Sequence, residues 1–219
     1  NFVPNTWMGH LYNSRQVARS FEEHKRKPRI LHTGSGAHYD VDNKTGGKDD
    51  LSEIRDFIRA TVNRYQWVFV GAYPPQLHDL VQERKIEFYP WQPLLKYPYF
   101  IANLNAQLMV APLQANDFNR AKSDIIESCI LGIPCLCQNI ETYKNAPAKL
   151  RFDTIDEFEQ KINTILNYKK KNKYFQNSAK LREIGQKRIL ELDHNIGAFL
   201  ETLNTPFGSN ERTFLKKWN

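Results

Sequence analysis

Residues 106–111 read AQLMVA and residues 122–137 read KSDIIESCILGIPCLC, and these two stretches decide the fold. The first is nearly all apolar, as a strand is when both faces of a parallel sheet are covered. The second predicts a helix that begins near Ser123, ends at Gly132 and passes through Pro134 into a short apolar strand. Glycine suits the left-handed cap at the end of that helix because it has no Cβ. A strand, a helix and a strand in this order are typical of α/β folds.

The same alternation continues outward along the chain. Apolar runs bounded by Gly and Pro predict six strands, at residues 29–33, 67–71, 85–89, 106–111, 135–137 and 149–152. Helical patterns lie between them, including one that Asp49 or Asp50 caps and one that Thr154 caps. Such alternation implies right-handed crossovers and therefore a parallel sheet. The predicted fold is an α/β, Rossmann-like parallel sheet with helices on both faces, followed by a C-terminal helical segment.

The composition of the chain limits the class of protein to which it can belong. The chain has 219 residues, 41% of them hydrophobic, which is enough for a globular core. No apolar run is long enough for a membrane span, and no signal peptide opens the sequence. Of the three cysteines, Cys135 and Cys137 share one predicted strand and one face, which predicts buried, reduced thiols. The predicted location is cytoplasmic.

Charge is concentrated at one end of the chain. The formal net charge is +7, and residues 168–219 contain 11 Lys and Arg against 5 Asp and Glu. A basic helical segment meets nucleic acid or an anionic surface in some proteins, and in others it is only a solvated face. The solvated face is favoured here, and nucleic acid stays open as a partner.

Ligands of open parallel sheets bind at the carboxyl ends of the strands. The loop after the first strand contains Gly34, Ser35 and Gly36, whose bare backbone allows a phosphate to approach closely. The dinucleotide fingerprint fails, because Tyr39 stands where its third glycine belongs. A tight turn without a ligand is the alternative for this loop.

Two further loops contain residue types that suit ligand binding. Asp40 and Asp42 form the Asp-x-Asp pattern that holds a divalent metal in some transferases, but two carboxylates in a polar loop are more common as turn formers. No metal site is therefore predicted. After the third strand, Trp91 offers a flat apolar surface for a nucleobase and Gln92 offers an amide. A packed Pro-aromatic turn is the alternative.

The loop after the fourth strand leads to a helix that begins with Lys122 and Ser123. A basic side chain and free N–H groups at a helix start suit a diphosphate. One turn into the helix, Glu127 suits the hydroxyl groups of a ribose, which donate hydrogen bonds. A solvated helix glutamate is the alternative for this residue.

Together these segments resemble the C-terminal, nucleotide-sugar-binding half of a GT-B glycosyltransferase, nearest to the group-1/family-4-like enzymes of bacteria and phages. The resemblance spans roughly residues 1 to 167, from Val3-Pro4-Asn5 through the loops described above to Gly132-Ile133-Pro134. It implies a donor domain at 29–167, a linker and lead-in at 1–28, and a basic helical segment at 168–219. Val-Pro-Asn resembles the segment that joins the two halves of such enzymes, which implies a missing N-terminal acceptor domain.

The resemblance also implies an activity, the transfer of a sugar from a nucleoside-diphosphate sugar to an acceptor, with no cofactor besides this co-substrate. Such enzymes often carry two glutamates separated by seven residues; Glu127 fits the second, whereas Asn119 stands at the first and is assigned to the donor site. Catalytic residues are not predicted, since the acceptor's base belongs to the missing half or to the cleft. A DNA-modifying sugar transferase and a noncatalytic nucleotide-binding module are the alternative functions.

Overall fold

The structure is a computed structural model, and it describes residues 27–39, 49–93, 96–111, 131–140, 143 and 146–166. Within this part of the chain, six strands form one sheet. They are β1 (Arg29–Gly34), β2 (Gln66–Gly71), β3 (Ile86–Pro90), β4 (Leu108–Ala111), β5 (Cys135–Gln138) and β6 (Arg151–Phe152). Each of the six predicted strands is confirmed, with ends that shift by one or two residues.

The strand order is β3-β2-β1-β4-β5-β6, and every neighbouring pair is parallel. Successive strands run outward in one direction from β1 to β3, and the chain then crosses back to place β4 on the other side of β1. This reversal leaves a crevice at the carboxyl ends of β1 and β4, where ligands of doubly wound sheets bind. The predicted Rossmann-like fold is confirmed.

Four α-helices connect or follow these strands in the described part of the chain. They are α1 (Arg55–Thr61), α2 (His78–Gln82), α3 (Tyr97–Asn103) and α4 (Ile155–Leu166). A short 3₁₀ turn at Pro75–Leu77 leads into α2. α3 begins at Tyr97 and has Pro98 in its first turn, where proline is tolerated. Thr154 caps α4 as predicted, with the Glu157 N–H donating to its Oγ1 at 3.2 Å.

The predicted cap of the first helix is wrong in detail, because α1 begins at Arg55 and its cap residue, Ile54, makes no side-chain hydrogen bond. Residues 51–54 form turns instead. The Asp49 carboxylate accepts the Leu51 N–H at 2.9 Å, and the Asp49 carbonyl accepts the Ser52 N–H at 3.0 Å. Because these bonds use i+2 and i+3 spacing, they close tight turns before the helix can start.

Both faces of the sheet are covered. Along β2, Trp67 and Phe69 enter one cluster of buried residues, whereas Val68 and Val70 enter the other. This alternation follows from the period of two in a strand. Cys135 and Cys137 are buried thiols that form no disulfide, and they lie on the same face, so the prediction of core thiols is confirmed for both. Cys129 lies outside the described residues.

An ion pair links two helices on the outside of one face. Arg59 of α1 donates from Nη1 to one carboxylate oxygen of Asp79 in α2 at 2.7 Å, and from Nη2 to the other at 2.9 Å. These hydrogen bonds hold the pKa of Asp79 below its usual range. The pair is exposed, so we expect it to orient the helices and to add little stability.

The predicted linker at 1–28, apart from Lys27 and Pro28, and the basic segment at 168–219 lie outside the described residues, and the domain boundaries stay predictions. Gly132 has a φ of 67°, the left-handed conformation predicted for the cap at that position. No helix in the described ranges has the length and apolar character that a membrane crossing requires.

Candidate functional site

The carboxyl ends of β1, β2 and β3 are aligned. Gly34 of β1 is paired in register with Gly71 of β2, and Gly71 is paired with Pro90 of β3. The loops that follow these three residues therefore leave the sheet side by side. Two of the predicted ligand segments, Gly34–Gly36 and Trp91, begin at this edge.

Gly71 brings these segments into contact. Its φ is 98°, and a Cβ at this position would lie 2.4 Å from the Gly34 carbonyl oxygen and 3.4 Å from Cε2 of Trp91. The Gly34 oxygen also accepts the Ala72 N–H at 2.9 Å. Glycine is required here because the left-handed backbone and the neighbouring carbonyl leave no room for a side chain. The Gly34 carbonyl and the Trp91 ring therefore both lie next to Gly71.

The Gly-Ser-Gly loop turns directly after β1. Ser35 precedes a 3₁₀ turn at Gly36–His38, in which the Ser35 carbonyl accepts the His38 N–H at 3.1 Å. A Cβ on Gly36 would have no atom of the described residues within 4 Å, so within that part of the chain open space lies over this residue. Gly34 is more crowded, since a Cβ there would lie 3.2 Å from both His32 Nε2 and the Tyr39 hydroxyl. Gly36 therefore offers the closest approach to the backbone of this loop.

Trp91 is the most exposed large apolar side chain in the described part of the chain, with 61% of its surface accessible. Gln92, predicted beside it as a contact to the base, is half-buried, and its Nε2 donates to the Pro90 carbonyl at 3.0 Å. This hydrogen bond holds the turn that presents Trp91. The segment is a Pro-aromatic turn with an exposed ring, and the contact of Trp91 and Gln92 with a nucleobase stays a prediction.

Four predicted donor-site residues follow β4. Asn119, Lys122, Ser123 and Glu127 lie outside the described residues, and their assignment stays a prediction. The chain enters this segment after Ala111, the last residue of β4, which is the neighbour of β1. Their segment therefore starts at the reversal of strand order, on the other side of β1 from Gly71 and Trp91.

The buried residue His32 connects neighbouring strands close to this edge. Its side chain is fully buried, and its Nδ1 lies 3.0 Å from the carbonyl oxygen of Val110 in β4. Because a carbonyl only accepts hydrogen bonds, Nδ1 carries the proton. The ring also meets Phe69 edge-on, with centroids 5.8 Å apart. These contacts tie β1 to β4 where the strand order reverses.

One polar pair at this edge was not predicted from the sequence. Nδ1 of His38 lies 2.8 Å from Oδ2 of Asp50, and the Asp50 N–H donates to the His38 carbonyl at 3.2 Å. The position of His38 just after a glycine-rich loop was the one sequence feature that pointed to this residue. Its partner was not recognisable, because Asp50 appeared in the sequence only as a candidate helix cap.

Tyr89 lies near the end of β3, and its hydroxyl donates to Glu87 Oε2 at 3.0 Å. Burial, together with the nearby Glu87 carboxylate, raises the pKa of the Tyr89 phenol. The hydroxyl therefore stays neutral at physiological pH and acts as a hydrogen-bond donor within the fold. In the described residues, no group of three or more His, Cys, Asp or Glu side chains is placed to hold a metal ion. Asp40 and Asp42 lie outside those residues.

Comparison with solved structures identifies relatives of the fold. The catalytic domain of starch synthase IV from Arabidopsis thaliana, bound to ADP and acarbose, matches with a TM-score of 0.53 and 11% identity, covering 86% of this chain and 42% of that one. Sucrose-phosphate synthase from Thermosynechococcus elongatus matches with a TM-score of 0.61 and 15% identity, covering 93% and 52%. The apo structure of OtsA matches with a TM-score of 0.55 and 9% identity, covering 95% and 52%.

These three proteins are GT-B glycosyltransferases, so the predicted resemblance is confirmed at the level of the fold. The chain spans about half the length of the solved structures that it matches. No protein-family profile matches the chain. No curated protein matches it either.

Proposed function

We propose that this chain is the donor-binding half of a glycosyltransferase that transfers a sugar from a nucleoside-diphosphate sugar to an acceptor. The observation that carries the proposal is the close approach of Gly34 and Trp91 to Gly71 at the carboxyl edge, beside the reversal of strand order. A nucleotide needs a bare backbone for its phosphates and a flat surface for its base, and this edge offers both. The fold shared with GT-B enzymes, one of them bound to ADP, supports the same proposal.

Different residues contact different parts of the ligand. The backbone of Ser35 and Gly36 approaches the phosphates, and the Trp91 ring packs against the base, with Gln92 holding its turn. Lys122 and the Ser123 N–H contact the diphosphate. Glu127 accepts from the ribose hydroxyls, and Asn119 reaches the sugar end of the donor.

This arrangement supplies charge stabilisation rather than a nucleophile. As the bond between sugar and diphosphate breaks, negative charge grows on the leaving diphosphate. Basic side chains and N–H groups placed around it lower the energy of that state more than the energy of the bound donor. We propose that no metal or other cofactor takes part, and that the acceptor is held by a second domain outside this chain. The buried thiols Cys135 and Cys137 support a cytoplasmic location.

The proposal is tested by calorimetric titration of the 219-residue chain with UDP, ADP and GDP and with their glucose conjugates. We expect saturable binding of at least one diphosphate, and weaker binding of the corresponding nucleoside. If none of these six ligands binds, the proposed donor site is wrong. Because the proposed acceptor domain lies outside this chain, we expect the chain alone to bind the donor and to transfer no sugar. Release of free nucleoside diphosphate by a protein that contains both domains, in the presence of an acceptor, then separates a transferase from a noncatalytic nucleotide-binding module.

A substitution at Glu127 tests the assignment to the ribose. Changing Glu127 to Gln keeps the shape and removes the charge, so the ribose hydroxyls lose their strongest acceptor. We expect the affinity for the diphosphate to fall by about 1 kcal/mol, the usual contribution of one hydrogen bond, while the melting temperature stays unchanged. Glu159→Gln makes the same change on the exposed face of α4 and is the matched control. A loss of stability with unchanged affinity would identify Glu127 as a structural helix residue.

A further inference from the structure

His38 is a basic side chain within the described part of the proposed site. It ends the 3₁₀ turn that follows the Gly-Ser-Gly loop, four residues after the end of β1. Its side chain is 17% exposed, whereas the side chain of its partner Asp50 is only 5% exposed. The imidazole therefore lies between a buried carboxylate and the surface of the carboxyl edge.

Asp50 is held in place by its surroundings. Its own N–H donates to the His38 carbonyl at 3.2 Å, so backbone and side chain both connect the two residues. The preceding residue, Asp49, is fully buried, and its carboxylate accepts from the Leu51 N–H at 2.9 Å and from Arg55 Nη2 at 3.3 Å. The turn that carries the Asp50 carboxylate is thereby fixed, and so is the plane of the His38 ring.

The hydrogen bond to Asp50 determines which ring atom is available. A carboxylate only accepts hydrogen bonds, so Nδ1 of His38 donates to it. Within the described ranges, Nε2 has no hydrogen-bond partner. The ring carbon bonded to Nε2, Cδ2, lies 3.7 Å from the position that a Cβ on Gly34 would occupy. The Nε2 side of the ring therefore lies beside Gly34, one residue from Ser35 and two from the open space over Gly36.

We propose that His38 binds the distal phosphate of the nucleoside diphosphate through Nε2, and that Asp50 is a positioning residue that orients the ring for this contact. The inference rests on the proposed function and names a side chain that the donor-site prediction did not contain. A doubly protonated imidazole donates from both nitrogens, one to Asp50 and one to a phosphate oxygen, which accepts. The same contact would stabilise the charge that develops on the diphosphate as the sugar leaves.

The test compares ligands that differ only in their phosphates. Calorimetry of the full 219-residue chain with uridine, UMP and UDP, and with adenosine, AMP and ADP, locates the contact along the ligand. We expect His38→Ala to reduce the affinity for the diphosphate about tenfold or more, as the loss of a charge-assisted hydrogen bond does. The affinity for the nucleoside should stay within about twofold, because no phosphate contact is lost.

Variants at Asp50 test its positioning role by the ratio of the affinity for the diphosphate to the affinity for the nucleoside. Asp50→Ala leaves the ring unrestrained and should also reduce the preference for diphosphate over nucleoside, whereas Asp50→Asn keeps an acceptor for Nδ1 and should restore part of it. His78→Ala is the matched control, since Nδ1 of this exposed histidine is likewise hydrogen-bonded, at 2.8 Å from the Tyr73 hydroxyl. We expect no change in affinity from this control.

Two results would overturn the inference while the proposed function stands. One is an unchanged affinity of the His38→Ala variant for the diphosphate. The other is an equal loss for nucleoside and diphosphate, which would mean that His38 only supports the loop. If Asp50→Ala does not fold, the partly exposed His38 variant still decides the question. Failure of the unsubstituted chain to bind UDP, ADP, GDP or any of their glucose conjugates would instead overturn the proposed function.

Discussion

Replacing Gly71 by Ala is expected to destabilise the protein by about 2–5 kcal/mol. The backbone at Gly71 has a φ of 98°, a region that an L-residue occupies only at a cost of roughly 1–2 kcal/mol. The added Cβ would also lie 2.4 Å from the Gly34 carbonyl oxygen, far inside van der Waals contact. That oxygen belongs to a backbone paired in register with Gly71 and hydrogen-bonded to the Ala72 N–H, so it cannot move aside without breaking the sheet. Overpacking of this kind adds about 1–3 kcal/mol.

Urea unfolding monitored by fluorescence measures this loss of stability, and we expect a lower urea concentration at the midpoint of unfolding. Gly36→Ala is the matched control, because it adds the same methyl group at the same edge with no atom within 4 Å. We expect that control to change the free energy of unfolding by no more than about 0.5 kcal/mol, as exposed substitutions usually do. If Gly71→Ala were as stable as Gly36→Ala, the close approach of β1 and β2 at this edge would be wrong.

Replacing Trp91 by Ala should remove most of the binding surface for the base. Stacking of a base on an aromatic side chain contributes about 1–3 kcal/mol by alanine substitution. Since 61% of the Trp91 surface is exposed, we expect the variant to fold with nearly unchanged stability. The affinity for the nucleoside and for the diphosphate should fall by the same factor, because the base is common to both.

Trp91→Phe keeps a smaller ring on the same turn and should recover part of the affinity. This equal loss across the phosphate series separates Trp91 from His38, whose substitution should affect only the diphosphate. If Trp91→Ala bound every ligand as well as the unsubstituted chain does, the ring would be a surface feature of a Pro-aromatic turn and no platform for a base.

Much of the fold was predictable from local patterns. A buried parallel strand demands apolar residues, and the run that contains β4 supplies them. A helix end favours glycine, and Gly132 with Pro134 marks the end of the helix before β5. The start of α1 was not predictable. Asp49 is a good helix cap by type, yet its carboxylate closes a turn with the Leu51 N–H and contacts Arg55, an arrangement that depends on its complete burial.

The site was predictable in part, for a similar reason. Glycines and a tryptophan after strands are visible in a sequence, and strand order brings them together. The role of Gly71 was not visible, since its φ and its approach to Gly34 arise from the register of two strands. The pairing of His38 with Asp50 joins residues twelve positions apart across a loop, and no periodicity connects them. Long-range pairs of this kind follow from the assembled fold alone.

The central claim, that a nucleoside diphosphate binds at the carboxyl edge of this sheet, is tested most directly by hydrogen–deuterium exchange with and without the diphosphate that binds in calorimetry. We predict slower exchange in peptides that cover residues 34–39, 71–73 and 90–93. Exchange should not change at the opposite edge, in the turns that precede β2 and β3 at residues 62–65 and 83–85. Protection confined to that opposite edge, or no protection at the carboxyl edge in the presence of saturating ligand, would contradict the account.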